Sequence, residues 1–147
     1  MTTEGIALNQ ARQFHLAGER CLEQRPVALH TVNWLPIAAS VNLALACELY
    51  MKAILLGGGT KVPRTHDLKA LSEKLPEPVL DHLRDVYKPV DGESIDQVLA
   101  TVANTFQSVR YFYEAREQSQ TLFDSRQVSL AEALEMACVK YLSGATA

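Results

Sequence analysis

Glu48 and Lys52 stand four residues apart, in the order that lets one helix turn pair them. On an exposed helix such a pair contributes only about 0.2–0.5 kcal/mol. These two charges, however, interrupt the run Pro36–Leu56 (PIAASVNLALACELYMKAILL), which has little face to spare for water. Beside the surface pair stands a second reading, in which at least one of them points inward or into a subunit contact, where it needs a partner. A second group follows in the basic loop TKVPRT, where Lys61 and Arg64 precede His66-Asp67 at the start of a helix. An imidazole there brings the one side chain whose ordinary titration falls near neutral pH. The third group is Arg110-Tyr111-Phe112-Tyr113-Glu114, in which Arg110 and Glu114 are one turn apart and Tyr113 belongs to an apolar stripe. Together these side chains can hold an anion or move a proton; alternatively, the same charges only hold helices together. Gly57-Gly58-Gly59-Thr60-Lys61 does not add a phosphate loop, because the order is Thr-Lys and a helix precedes it; it reads as a helix stop.

The elements that must position these residues are helical. Pro36–Leu56 is the central helix of an all-α, up-and-down bundle of four to five main helices with short connecting ones, and Ala39, Ala46 and Ala53 recur at heptad spacing to admit a close neighbour. Before it, Ala7, Ala11, Phe14, Ala17 and Cys21 mark an amphipathic helix from about Thr3 to Arg25, with Gly18 inside it. Pro26 stops that helix, and the segment to Trp34 reads as a connection. After the basic loop, a short helix opens at His66 with Thr65 as its N-cap and Asp67 near its positive end, and Pro76 stops it. Pro78–Tyr87 forms another, followed by turn residues Lys88–Gly92. Ser94 and Gln97 are spaced as a capping box for a long helix through Ile95, Val98, Leu99, Val102, Phe106, Val109 and Tyr113 to about Ala115. Glu117–Gln127 is polar and loop-like; Ser129 and Glu132 then repeat the capping-box spacing ahead of a final helix that ends before Gly144. No run alternates with the period of a strand.

A chain of 147 residues, 48% hydrophobic and 21% charged, has the size and composition of a single domain, 1–147, that buries its own core without a metal or disulfide staple. Cys21, Cys47 and Cys138 are odd in number, widely spaced and set in apolar helical patterns, which fits reduced thiols of a cytoplasmic protein and gives no metal site. The first residues lack the basic and apolar regions of an export signal, and Glu48 and Lys52 argue against a membrane span. The net charge of -3 excludes a protein that coats nucleic acid nonspecifically, while leaving room for a local basic site.

Glu48-Leu49-Tyr50-Met51-Lys52-Ala53-Ile54-Leu55, His66-Asp67-Leu68 and Arg110-Tyr111-Phe112-Tyr113-Glu114 resemble the pattern of HEPN-domain proteins, over about Pro36 to Glu114 and loosely the flanking helices. These are small helical bundles of prokaryotic toxin–antitoxin and defence systems, usually homodimers, found beside nucleotidyltransferases. The resemblance implies either RNA cleavage or non-catalytic binding of RNA, a nucleotide or a partner protein such as a nucleotidyltransferase, with no cofactor. Catalytic members carry R-x(4-6)-H on a late helix. Arg110 matches the Arg, but Ala115, Arg116 and Glu117 stand where the His should fall, which implies a non-catalytic or degenerate member. Arg25 and His30 also match that spacing, with Pro26 between them. The ligand-binding set implied is Glu48, Lys52, Lys61, Arg64, Asp67, Tyr113 and Glu114. An alternative keeps cleavage, with His66 as general base on the ribose hydroxyl and Arg110 against the phosphate charge. A further alternative is a purely structural dimerisation protein.

Overall fold

A computed structural model describes residues 1–104 and 125–142. The protein is mostly helical: α1 (Thr3–Cys21), α2 (Pro36–Gly57), α3 (Leu68–Ser72), α4 (Glu77–Val86), α5 (Ile95–Val102) and α6 (Arg126–Tyr141). A hairpin of β1 (Arg25–Ala28) and β2 (Thr31–Asn33) joins α1 to α2.

α2 is the axis of the fold. Pro36 occupies its first turn, where a missing N–H costs nothing, and Ala39, Ala46 and Ala53 are all fully buried, as their spacing requires. The helix is long and apolar enough to cross a membrane, but 67% of that window is buried inside the fold. α1 lies antiparallel against it: Leu35 N donates to Cys21 O (3.2 Å) at one end, and Glu4 lies beside Gly57 at the other. α6 runs parallel to α2, because Gln127 Nε2 donates to Ser40 O (3.2 Å) near the start of both helices and Leu142 packs on Gly57 at their ends. Gly58 closes α2, and Gly59 adopts a φ of +71°, a left-handed turn that favours glycine.

The buried stripe of α1 runs through Leu8, Ala11, His15 and Gly18, whereas Phe14, Ala17 and Cys21 lie half-buried at its edge. The core face is thus rotated from the one that the apolar residues mark. Gly18 belongs there because a Cβ would come within 2.7 Å of Leu43 Cγ.

α1 ends at Cys21 rather than near Arg25, since the Leu22 N–H turns back to Arg20 and Glu19 carbonyls and the chain then enters the hairpin. The expected plain connection therefore contains two antiparallel strands, Arg25 opposite Asn33 and Ala28 opposite Thr31, turning at His30 with φ 65°. All four β1 residues are exposed, so no alternation of polar and apolar side chains marked it.

α3 starts at Leu68, not His66. Its cap is Asp67, whose carboxylate accepts from Ala70 N (3.0 Å); Thr65 Oγ1 instead accepts from Asp67 N (3.0 Å), tightening the turn before the helix. The Ser94–Gln97 capping box is present, with Gln97 Oε1 accepting from Ser94 N (2.8 Å) and Ser94 Oγ from Gln97 N (3.3 Å). Arg84 ties α4 to the first turn of α5 through Asp96. The continuation of that helix toward Ala115 lies outside the described residues. α6 begins at Arg126, so Ser129 and Glu132 stand inside the helix and form no capping box there. The reason is tertiary: Arg126 pairs with Glu93 (2.7 Å) and Gln127 is buried against Ser40, which draws this polar stretch into the fold.

Candidate functional site

The site is built where α2 meets the loop entering α3. Glu48 faces inward from α2 and is only 4% exposed, yet both its carboxylate oxygens are engaged. Lys52, one turn on, donates to Oε1 at 2.5 Å, and His66 Nδ1 lies 2.9 Å from Oε2. A carboxylate that already accepts from an ammonium is an acceptor toward the imidazole as well, so Nδ1 is the donor. The His66 side chain is 51% exposed and that of Lys52 20%, so the cluster is anchored inside and opens outward.

The turn that aims His66 is held from both sides. Thr65 and Asp67 fix the backbone on either side of it, and Leu68 N donates to Ala103 O (3.0 Å), docking the start of α3 on the end of α5. Asp67 is the helix cap, with Oδ1 accepting from Ala70 N. Lys61 and Arg64 are exposed in the preceding loop, where among the described residues no ion pair engages them. Glu48, Lys52 and His66 are therefore brought together, and Lys61 and Arg64 are exposed in the loop that leads to His66. Arg110, Tyr113 and Glu114 lie outside the described residues. Arg25 is engaged by Glu23 (2.6 Å), and His30 is exposed at the hairpin turn.

A second polar group escaped the sequence reading. His15 is buried with Nδ1 2.9 Å from Tyr50 Oη and 3.4 Å from Glu135 Oε2, while Glu135 Oε1 is 3.3 Å from Arg12 Nε. Glu19 Oε1 lies 3.3 Å from His15 Nε2 but out of hydrogen-bonding line. Burial, with Glu135 nearby, raises the Tyr50 phenol above its usual range and keeps it protonated. Tyr50 has no exposed surface, and the network joins α1, α2 and α6. Its signal was the position of His15, four residues after Ala11 and three before Gly18 on the core stripe.

Among the described residues, no group of three or more His, Cys, Asp or Glu side chains is arranged to hold a metal ion. Cys47 and Cys138 are buried and free, and Cys21 is half-buried and free. No protein-family model, curated protein or solved structure matches this chain.

Proposed function

We propose that the protein is a HEPN-like bundle that acts as a binding module for RNA or a nucleotide, in the non-catalytic or degenerate manner, with phosphate received at the mouth of the Glu48–Lys52–His66 cluster. The observation that carries this reading is the buried Glu48 carboxylate bridging Lys52 and His66, the last of which follows a loop that exposes Lys61 and Arg64. The carboxylate balances one internal charge and orients the imidazole, while the loop cations remain available to phosphate. The resemblance adds a homodimer, a cytoplasmic setting of the toxin–antitoxin or defence type and a nucleotidyltransferase-like partner.

The test is fluorescence anisotropy with a labelled oligoribonucleotide at two salt concentrations. Binding should weaken with salt, and Lys61→Ala/Arg64→Ala should reduce affinity several-fold whatever the base sequence. The absence of binding at low salt, or a double variant that binds as the wild type does, would refute this reading.

The 2.9 Å contact between Glu48 and His66 Nδ1 favours a second reading, metal-independent phosphodiester cleavage. A carboxylate behind one ring nitrogen directs the other as a general base, and Arg110 would meet the phosphate charge. End-labelled RNA incubated in EDTA with wild type, His66→Ala and Arg110→Ala separates the two. Cleavage lost in both variants makes the protein a ribonuclease; intact RNA with wild type leaves the binding reading.

A further inference from the structure

The largest groove of known lining runs along the outer face of α6. Glu132, Met136, Val139 and Lys140 share that face at helical spacing, and with Glu135, His82 of α4 and Lys88 just beyond it they enclose about 610 Å³. That volume is of small-molecule size. Met136 is 49% exposed and Val139 54%, so the middle of the groove is apolar and open. Ala133, Ala137 and Cys138 behind them are buried, so this face is distinct from the one that α6 turns to the core.

The polar groups of the groove are unequally engaged. Glu135 is held from the α1 side, with Oε1 3.3 Å from Arg12 Nε and Oε2 3.4 Å from His15 Nδ1. Lys140 and Glu132 are exposed, and among the described residues no ion pair engages either. Lys140 Nζ lies 5.5 Å from the centre of the Tyr141 ring, and the His82 ring meets that same ring edge-on at 5.9 Å. Tyr141 Oη donates to Pro78 O (3.1 Å), which fixes the ring on the start of α4. His82 Nε2 is buried without a hydrogen-bond partner among the described residues, so this wall of the groove holds a ring nitrogen that is one bond short. An ammonium and an imidazole thus stand together about Tyr141, while Glu132 lies eight residues back, about 12 Å along the helix axis. An anionic head group is attracted at the first end and repelled at the second, and the apolar side chains between them receive its body. Among the described residues no arginine lines the groove, so it lacks the planar fork that grips a phosphate twice, and a singly charged carboxylate is the better fit.

We infer that the groove between α4 and α6 is a binding site for a small amphipathic carboxylate, of which a medium-chain fatty acid is the simplest. Lys140 and His82 hold the head group, and the chain lies over Val139 and Met136 toward Glu132. The site shares no residue with the Glu48 cluster and stands whether or not that cluster binds RNA.

Calorimetric titration of the full chain with decanoate, kept below the concentration at which it forms micelles, tests this. The wild type should bind with a dissociation constant below about 1 mM, and decylamine, the same chain with the opposite charge, at least about tenfold more weakly. Lys140→Glu should weaken decanoate at least about tenfold, because the head group then meets a carboxylate. His82→Phe keeps a ring against Tyr141 but removes its nitrogens, and should weaken decanoate several-fold while leaving decylamine unchanged. Met136→Asp should abolish binding of decanoate while the far-ultraviolet circular dichroism and thermal midpoint match those of the wild type, since the side chain it replaces is exposed. Lys61→Ala/Arg64→Ala should bind decanoate as the wild type does; a loss there would move the carboxylate to the basic loop and overturn the inference. Decylamine binding as well as or better than decanoate would give the groove to a cation, and an affinity indifferent to Lys140→Glu would place the ligand elsewhere; either overturns it. So does a wild type that binds no decanoate, and if its sedimentation then shows self-association lost in Met136→Asp, the face belongs to a second copy of the chain.

Discussion

Replacing Glu48 by Gln removes one negative charge from the core while keeping the volume and an acceptor for Lys52. Two limits bound the cost. Removing one partner of a fully buried ion pair costs about 3–5 kcal/mol, and removing one from an exposed helix pair costs about 0.3–0.5 kcal/mol. Here the carboxylate is 4% exposed, but the Lys52 side chain is 20% and that of His66 51% exposed, so both can turn toward water once the anion is gone. The expected destabilisation of Glu48→Gln is therefore about 1–2 kcal/mol. Lys52→Met is worse, at about 2–3 kcal/mol, because it leaves the desolvated carboxylate with His66 as its remaining side-chain partner in the cluster. The double variant removes both charges and should cost less than the two singles added, with a coupling of at least about 1 kcal/mol. Urea unfolding at neutral pH reads all four proteins on one scale, provided that the dependence on denaturant is unchanged. A Glu48→Gln protein within about 0.5 kcal/mol of wild type, with additive effects in the double variant, would refute the claim that Glu48 is an internal charge held by its partners.

Gly18→Ala should destabilise the protein by about 1 kcal/mol in the same urea assay, even though alanine favours a helix by a similar amount, because its Cβ would meet the fully buried Leu43 side chain. An increase in stability would show that Leu43 yields freely. Iodoacetamide at mildly alkaline pH should label Cys21 in the folded protein and reach Cys47 and Cys138 only after unfolding, a difference read by mass spectrometry. Burial pushes the Cys138 thiol from 9.0 up to about 12 and raises Cys47 as well, so the folded state keeps protons that the unfolded chain releases. Stability from these groups is thus fully present below pH 9.0 and falls as pH rises toward about 12, by up to roughly 1.4 kcal/mol per pH unit for each thiol. A flat alkaline limb in urea unfolding would contradict their burial.

Local rules were enough for several elements. Pro36 and the glycines from Gly57 bound α2, and the alanines at heptad spacing declare its close neighbours. Ser94 and Gln97 cap α5 through bonds that need only three residues of chain. The Glu48–Lys52 pair was legible for the same reason, since one helix turn suffices to form it.

His66 belongs to the other kind. Its bond to Glu48 spans eighteen residues of sequence and exists because the loop before α3 folds back on α2, with Leu68 docked on Ala103. The spacing of residues in a chain carries no record of that return. Likewise His15 reads as a polar break in a stripe until Tyr50 and Glu135 arrive from two other helices, and Arg126-Gln127 reads as loop until Glu93 and Ser40 draw it into α6. The sequence by itself determined which stretches coil and where a charge would be trapped, because helix periodicity, capping and desolvation act within a few residues. The tertiary structure alone decided which trapped charges share a partner, because burial satisfies a polar group only through whatever the packing of other helices brings within hydrogen-bonding reach.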